Sequence, residues 1–98
     1  MYVYTVKLIL NPLAHEDMVK YLYNIHLPDV VNTGCFLSFT LEVDTTNNEV
    51  IARYQCVSTE QFQNYLNKFA NNLRQEVIDK FPNGIVSATR NFCKVISQ

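Results

Sequence analysis

Apolar and polar positions alternate with a period of two along four stretches of the chain and with a helical period along two others. From Tyr2 to Leu10, Tyr4, Val6, Leu8 and Leu10 share one face, while Val3, Thr5, Lys7 and Ile9 share the other. That is the side-chain period of a strand, and the run is rich in β-branched and aromatic residues. Asn11-Pro12 ends it, because proline cannot donate to a ladder. A helix is predicted over residues 13–26: Met18, Val19, Leu22, Ile25 and His26 recur at helical spacing, and Glu16 and Asp17 occupy the first turn, where the helix dipole favours acids. Pro28 disfavours helical geometry at Leu27, so Asp29 to Thr33 is expected to be a turn that Gly34 closes. Cys35 to Val43 and Glu49 to Val57 alternate again around Asp44-Thr45-Thr46-Asn47-Asn48, which predicts an antiparallel hairpin. A second helix is predicted over residues 58–81. Ser58 is its cap with Gln61 three positions on, and Phe62, Tyr65, Leu66, Phe69, Leu73 and Val77 form its apolar stripe. Pro82-Asn83-Gly84 stops it, and residues 85–96 alternate as a last strand.

The predicted order is β-α-β-β-α-β. Two crossovers onto one antiparallel four-stranded sheet, with both helices on one face, make an α+β fold of the ferredoxin-like class, as one domain over residues 1–98. The face away from the helices would then carry Thr5, Lys7 and Ile9, then Phe36, Ser38 and Thr40, then Ile51, Arg53 and Gln55. Ile9, Phe36 and Ile51 are unusual residues to leave wet. The expected remedy is burial against a second copy across a two-fold axis, giving a homodimer through the open sheet face.

Composition narrows the partners. The chain is 48% hydrophobic and 17% charged, which argues for a packed domain and against disorder. Its formal net charge is −1 and its five Lys and three Arg are scattered, so nucleic acid and anionic membranes are not expected partners. No apolar stretch approaches the length of a membrane span, and Met1-Tyr2-Val3-Tyr4 opens no secretory leader. Cys35, Cys56 and Cys93 are odd in number and widely spaced, without a CxxC, which points to reduced thiols in the cytoplasm. All three fall in strand-like contexts and are expected to be buried and unreactive.

The chemistry on offer is sparse. No nucleophile elbow, P-loop, GxGxxG or HExxH spacing occurs, and no cofactor or metal is expected. His26 has two readings. It is either a ligand donor or base facing the gap between helix and sheet, or a histidine at a helix C-terminus that bonds the backbone of residues 30–33 and steadies the turn. Arg90, mid-strand, needs a partner: an ion pair with Glu42, Glu49 or Glu76, a contact across a dimer, or the carboxylate or phosphate of a ligand. Arg74 is expected on the helix surface, pairing with Asp79 or a neighbouring loop. Tyr4, Tyr21, Tyr23, Tyr54 and Tyr65 fall at core spacing, and Tyr54 is the one placed beside a possible pocket. His15 has acidic neighbours and is expected in solvent.

His26-Leu27-Pro28-Asp29-Val30, then Thr33-Gly34 and Phe36, resemble a small bacterial family of uncharacterised ferredoxin-like proteins, a domain of unknown function within the dimeric α/β-barrel group. Phe69-Ala70, Leu73-Arg74, Phe81, Gly84, Ala88 and Arg90 extend the resemblance over essentially the whole chain. It implies the ferredoxin-like fold and a dimer of the α/β-barrel type, and it implies no activity. Two functional classes follow. One is a non-catalytic homodimer that binds a small molecule or a protein, with His26, Arg90 and Tyr54 as ligand contacts. The alternative is a small cofactor-independent enzyme of monooxygenase or isomerase type, with His26 as acid/base.

Overall fold

The computed structural model describes residues 1–97. Strand β1 (Tyr2–Leu10) leads into a helical segment built of α1 (His15–Tyr21), a π-helical turn (Leu22–His26) and α2 (Leu27–Asn32). The hairpin β2 (Ser38–Asp44) and β3 (Glu49–Cys56) follows, then α3 (Thr59–Lys68), α4 (Ala70–Lys80) and β4 (Ile85–Lys94). The sheet order is β2-β3-β1-β4 and every neighbouring pair is antiparallel. This is the four-stranded antiparallel sheet of the ferredoxin-like fold.

The period-two alternation sorts the sheet as expected. In register, Tyr4 lies between Tyr54 and Phe92, Val6 between Ala52 and Arg90, and Leu8 between Val50 and Ala88. These rows face the helices, and Tyr4, Leu8, Leu10, Val50, Ala52, Tyr54 and Cys56 join Met18, Leu22, Leu27, Val30, Tyr65 and Val77 in the core. Such burial removes apolar surface from water and is the main stabilising term. The opposite face carries Thr5, Lys7, Thr40, Glu42, Arg53, Gln55, Thr89 and Asn91, tied by the ion pairs Lys7–Glu49, at 3.5 Å, and Arg53–Glu42.

Several local expectations are corrected. The first helix does not stop before Pro28 but runs on to Asn32. At the π turn the Leu27 N–H reaches back five residues to the Leu22 carbonyl, so the chain is already off the four-residue ladder when Pro28 arrives. Pro28 then sits in the first turn of α2, where a missing N–H costs nothing. Thr33 follows α2; its hydroxyl donates to the Val30 carbonyl at 2.7 Å, and Gly34 takes the positive φ, +86°, that ends the helical segment.

The second helix starts where expected, with the Ser58 hydroxyl accepting from the Gln61 N–H, but it breaks at Phe69, whose φ of −125° is not helical. Strand β2 begins at Ser38 rather than Cys35. Phe36 therefore precedes the sheet and is free to turn inward. It is 5% exposed and packs on Tyr4, Tyr54 and Tyr65, so it is not part of the open face. Cys35 and Cys56 are buried, whereas Cys93 is exposed on edge strand β4, contrary to expectation. His15 is half-buried rather than solvated, and neither of its ring nitrogens has a hydrogen-bond partner.

Candidate functional site

A cleft lies between the helices and the sheet, with two adjoining lobes of about 40 and 70 Å³. Val6, Leu8, Leu22, His26, Arg74 and Arg90 line both. Tyr4, Tyr54 and Tyr65 wall the first lobe, and Val77, Ile78 and Ile85 wall the second. The cleft is small and its two lobes share six lining residues. A compact ligand spanning both lobes fits best, whereas a fused-ring molecule needs the helices to move.

His26 is the last residue of the π turn, and that turn aims its ring at the sheet. Its Nδ1 is buried and has no hydrogen-bond partner. The expected bond to the backbone of residues 30–33 is not made, because those residues are helical and Thr33 supplies its own side chain to the Val30 carbonyl. Burial pushes the imidazole pKa down to about 4, against a smaller upward pull from Asp29, so the ring is neutral at pH 7.

Arg90 lies beside Val6 on the helix-facing side of β4. Glu42 and Glu49, two of its expected partners, project from the other face and pair with Arg53 and Lys7. Among the described residues Arg90 has no carboxylate within ion-pair distance. Arg90 lines the cleft, and the ion pair expected for it with Glu42, Glu49 or Glu76 does not form.

Arg74 was misread. Asp79 accepts instead from Gln75 Nε2 at 2.8 Å, and Arg74 Nη2 donates to the Tyr4 hydroxyl at 3.0 Å, 70 residues away in sequence. The signal that could have found it is its spacing: Arg74 follows Leu73 and precedes Val77 by three, which puts it at the border of the apolar stripe. No carboxylate among the described residues reaches it either.

Tyr54 is 3% exposed and stacks on Tyr4. Burial raises its pKa, with Tyr65 and Tyr4 adding to the rise and Arg90 opposing it. Burial likewise pushes Tyr65 up to about 12, with Tyr4 adding to the rise and Arg74 and Arg90 opposing it. Both phenols therefore keep their protons at neutral pH and can donate. The structure thus brings His26, Arg90 and Tyr54 to one cleft, and adds Arg74 and Tyr65.

Among solved structures, an antibiotic biosynthesis monooxygenase superposes with a TM-score of 0.75 at 12% identity, covering 99% of this chain and all of that one. The monooxygenase from the gene ActVA-Orf6 of Streptomyces coelicolor, solved with nanaomycin D, gives 0.76 at 17% identity over 99% of this chain and 88% of its own. A dimeric ferredoxin-like protein from an uncultured marine organism gives 0.75 at 11% identity over 99% and 95%. At such identities the likeness concerns the fold alone, that of the ferredoxin-like dimeric α/β-barrel group. No curated protein matches the chain by sequence. Among the described residues no helix is long and apolar enough to cross a membrane. The sequence matches one family profile, over residues 1–95, and the chain belongs to that family, the domain of unknown function DUF4286.

Proposed function

We propose that this chain works as a single cytoplasmic domain that pairs with a second copy through the open sheet face and binds a small molecule in the cleft, without catalysis. The observation that carries the ligand reading is the convergence of unpartnered polar groups on one apolar cleft: the buried Nδ1 of His26 and the guanidinium of Arg90, beside the hydroxyl-bearing rings of Tyr54 and Tyr65. A protein with no use for the cleft would fill it or pair the imidazole, because an unpaired buried polar atom costs stability; exposed Arg90 lines the same cleft with no carboxylate partner among the described residues. Three unpaired cysteines support the cytoplasm. The homodimer is supported by half-buried Val3, Ile9 and Ile51 among the polar residues of the open face and by the dimeric state of a fold neighbour.

The enzyme reading draws on neighbours named as monooxygenases, but His26 suits it poorly. A general base works best with a pKa near the working pH, and an imidazole at about 4 is a weak one. A fragment library screened by thermal shift is expected to yield small ligands that raise the Tm, an effect lost in Arg90→Ala. Sedimentation of the same protein should give twice the 11.4 kDa chain mass, returning to the single mass in Ile51→Glu. A screen without ligands, together with oxygen uptake on phenolic substrates that His26→Ala abolishes, would replace binding by catalysis. A wild-type monomer would remove the dimer.

A further inference from the structure

We propose that the ligand of the cleft is a small monocarboxylate with an aromatic or unsaturated body, its carboxylate held between Arg74 and Arg90 and its body laid against Tyr54 and Tyr65. This rests on the ligand-binding reading above and adds the ligand's charge and class.

Two guanidinium groups line the same cleft, and neither has a carboxylate partner among the described residues. The acids nearest in sequence logic are engaged elsewhere: Glu42 with Arg53, Glu49 with Lys7, Asp79 with Gln75. Arg74 is half-buried and Arg90 exposed, so water reaches both, but two like charges lining one cleft repel each other and an anion between them relieves that cost. The guanidinium fork matches the planar, two-oxygen geometry of a carboxylate. One end of Arg74 is already steadied by the Tyr4 hydroxyl, which reduces the freedom lost on binding. The floor is Val6, Leu8 and Leu22, and the wall is aromatic, which suits a hydrocarbon body. The unpartnered Nδ1 of His26 can accept a hydrogen bond from a hydroxyl or N–H on that body. Phosphate fits worse, since a hydrated dianion needs more donors than two side chains over an apolar floor supply. A nucleotide or a fused ring would need the helices to move, whereas a single ring does not.

The test uses the whole protein with three probes: benzoate, its neutral counterpart benzyl alcohol, and inorganic phosphate. Binding is followed by calorimetry and by the NMR signals of the His26 ring. Benzoate is expected to shift those signals and to move the imidazole pKa upward from about 4, because the carboxylate adds a second negative charge to the upward pull of Asp29. Benzyl alcohol should bind about tenfold more weakly or worse, and Arg90→Gln should weaken benzoate by about tenfold while sparing benzyl alcohol. Arg74→Gln should act alike. Arg74 also holds Tyr4, so Arg90, on an exposed edge strand, decides the matter if the Arg74 variant does not fold. Equal binding of benzyl alcohol and benzoate would overturn the anion and leave the ligand-binding reading intact. Phosphate binding as tight as benzoate would overturn the carboxylate. Benzoate that leaves the His26 signals unmoved, or does not bind, would overturn the proposal outright, and the wider fragment screen would then judge the cleft by itself.

Discussion

The two faces of the sheet are made from the same four strands yet differ in almost every physical respect. The helix-facing side stacks rings on rings: Phe62 lies flat on Phe92 at 4.0 Å, and Tyr4 touches Phe36, Tyr54, Phe62 and Tyr65. At the border of this apolar layer stand half-buried Arg74, exposed Arg90 and a neutral histidine. The open side is mostly threonine, glutamine and asparagine around half-buried Val3, Ile9 and Ile51, with charges that already satisfy one another. In the single chain, charges on the open side cost little because water screens them. Burying a charge on the helix side is costly; there Arg74 is half-buried, while Arg90, on the edge strand, stays exposed. An ion pair between Arg53 and Glu42 is an ordinary surface feature, whereas an arginine two strands away, on the other face and without an acid, is not.

That contrast can be broken most sharply at Phe36. It is fully inside on the helix side, so Phe36→Ala should cost about 3–5 kcal/mol in chemical denaturation, while Thr40→Ala on the open face should stay within about 0.5 kcal/mol. Comparable losses at the two positions would show that the faces are not as different as their exposure suggests.

A second, somewhat smaller effect concerns His26. Its folded pKa, about 4, lies below its ordinary 6.5. Between those values the unfolded chain binds the proton and the folded chain does not. The associated stability is therefore complete above pH 6.5, is lost progressively as the pH falls, and levels off below 4. At full extent the loss is on the order of 3 kcal/mol. His26→Leu should remove that slope and leave neutral-pH stability unchanged or slightly higher, since no hydrogen bond is lost. A variant with the wild-type slope would assign the acid sensitivity to other groups.

The smallest effect is kinetic and sharpens the comparison without disturbing either face. A thiol reagent applied to the native protein should label Cys93 quickly, and Cys35 and Cys56 only on unfolding. Labelling all three at one rate would mean that the helix side opens readily.

The fold was largely legible in the chain. Period-two runs placed all four strands, and the helical stripe from Phe62 to Val77 placed α3 and α4, because burial on one face imposes those periods locally. The Ser58 cap was equally readable, since cap and acceptor are three residues apart. Local rules failed where a neighbour two turns away intervened. Pro28 reads as a helix end in isolation, and only the π turn before it removes the clash. Phe36 reads as half of a strand alternation, and only the late start of β2 lets it turn inward.

The site divided in the same way. His26 and Arg90 stood out as candidates because a lone imidazole and a mid-strand charge are conspicuous in an otherwise plain sequence. Their partners were not legible: the bonds proposed for both do not form, and Arg74, which helps line the cleft, looked like a surface residue. Periodicity and punctuation thus determined which segments are strands and helices, because those properties depend on neighbours along the chain. Which charges share a cleft, and which of them lack a partner, was decided only when β1, β4, the π turn and α4 came together, because hydrogen bonds and desolvation act between residues that are close in space, whatever their separation in sequence.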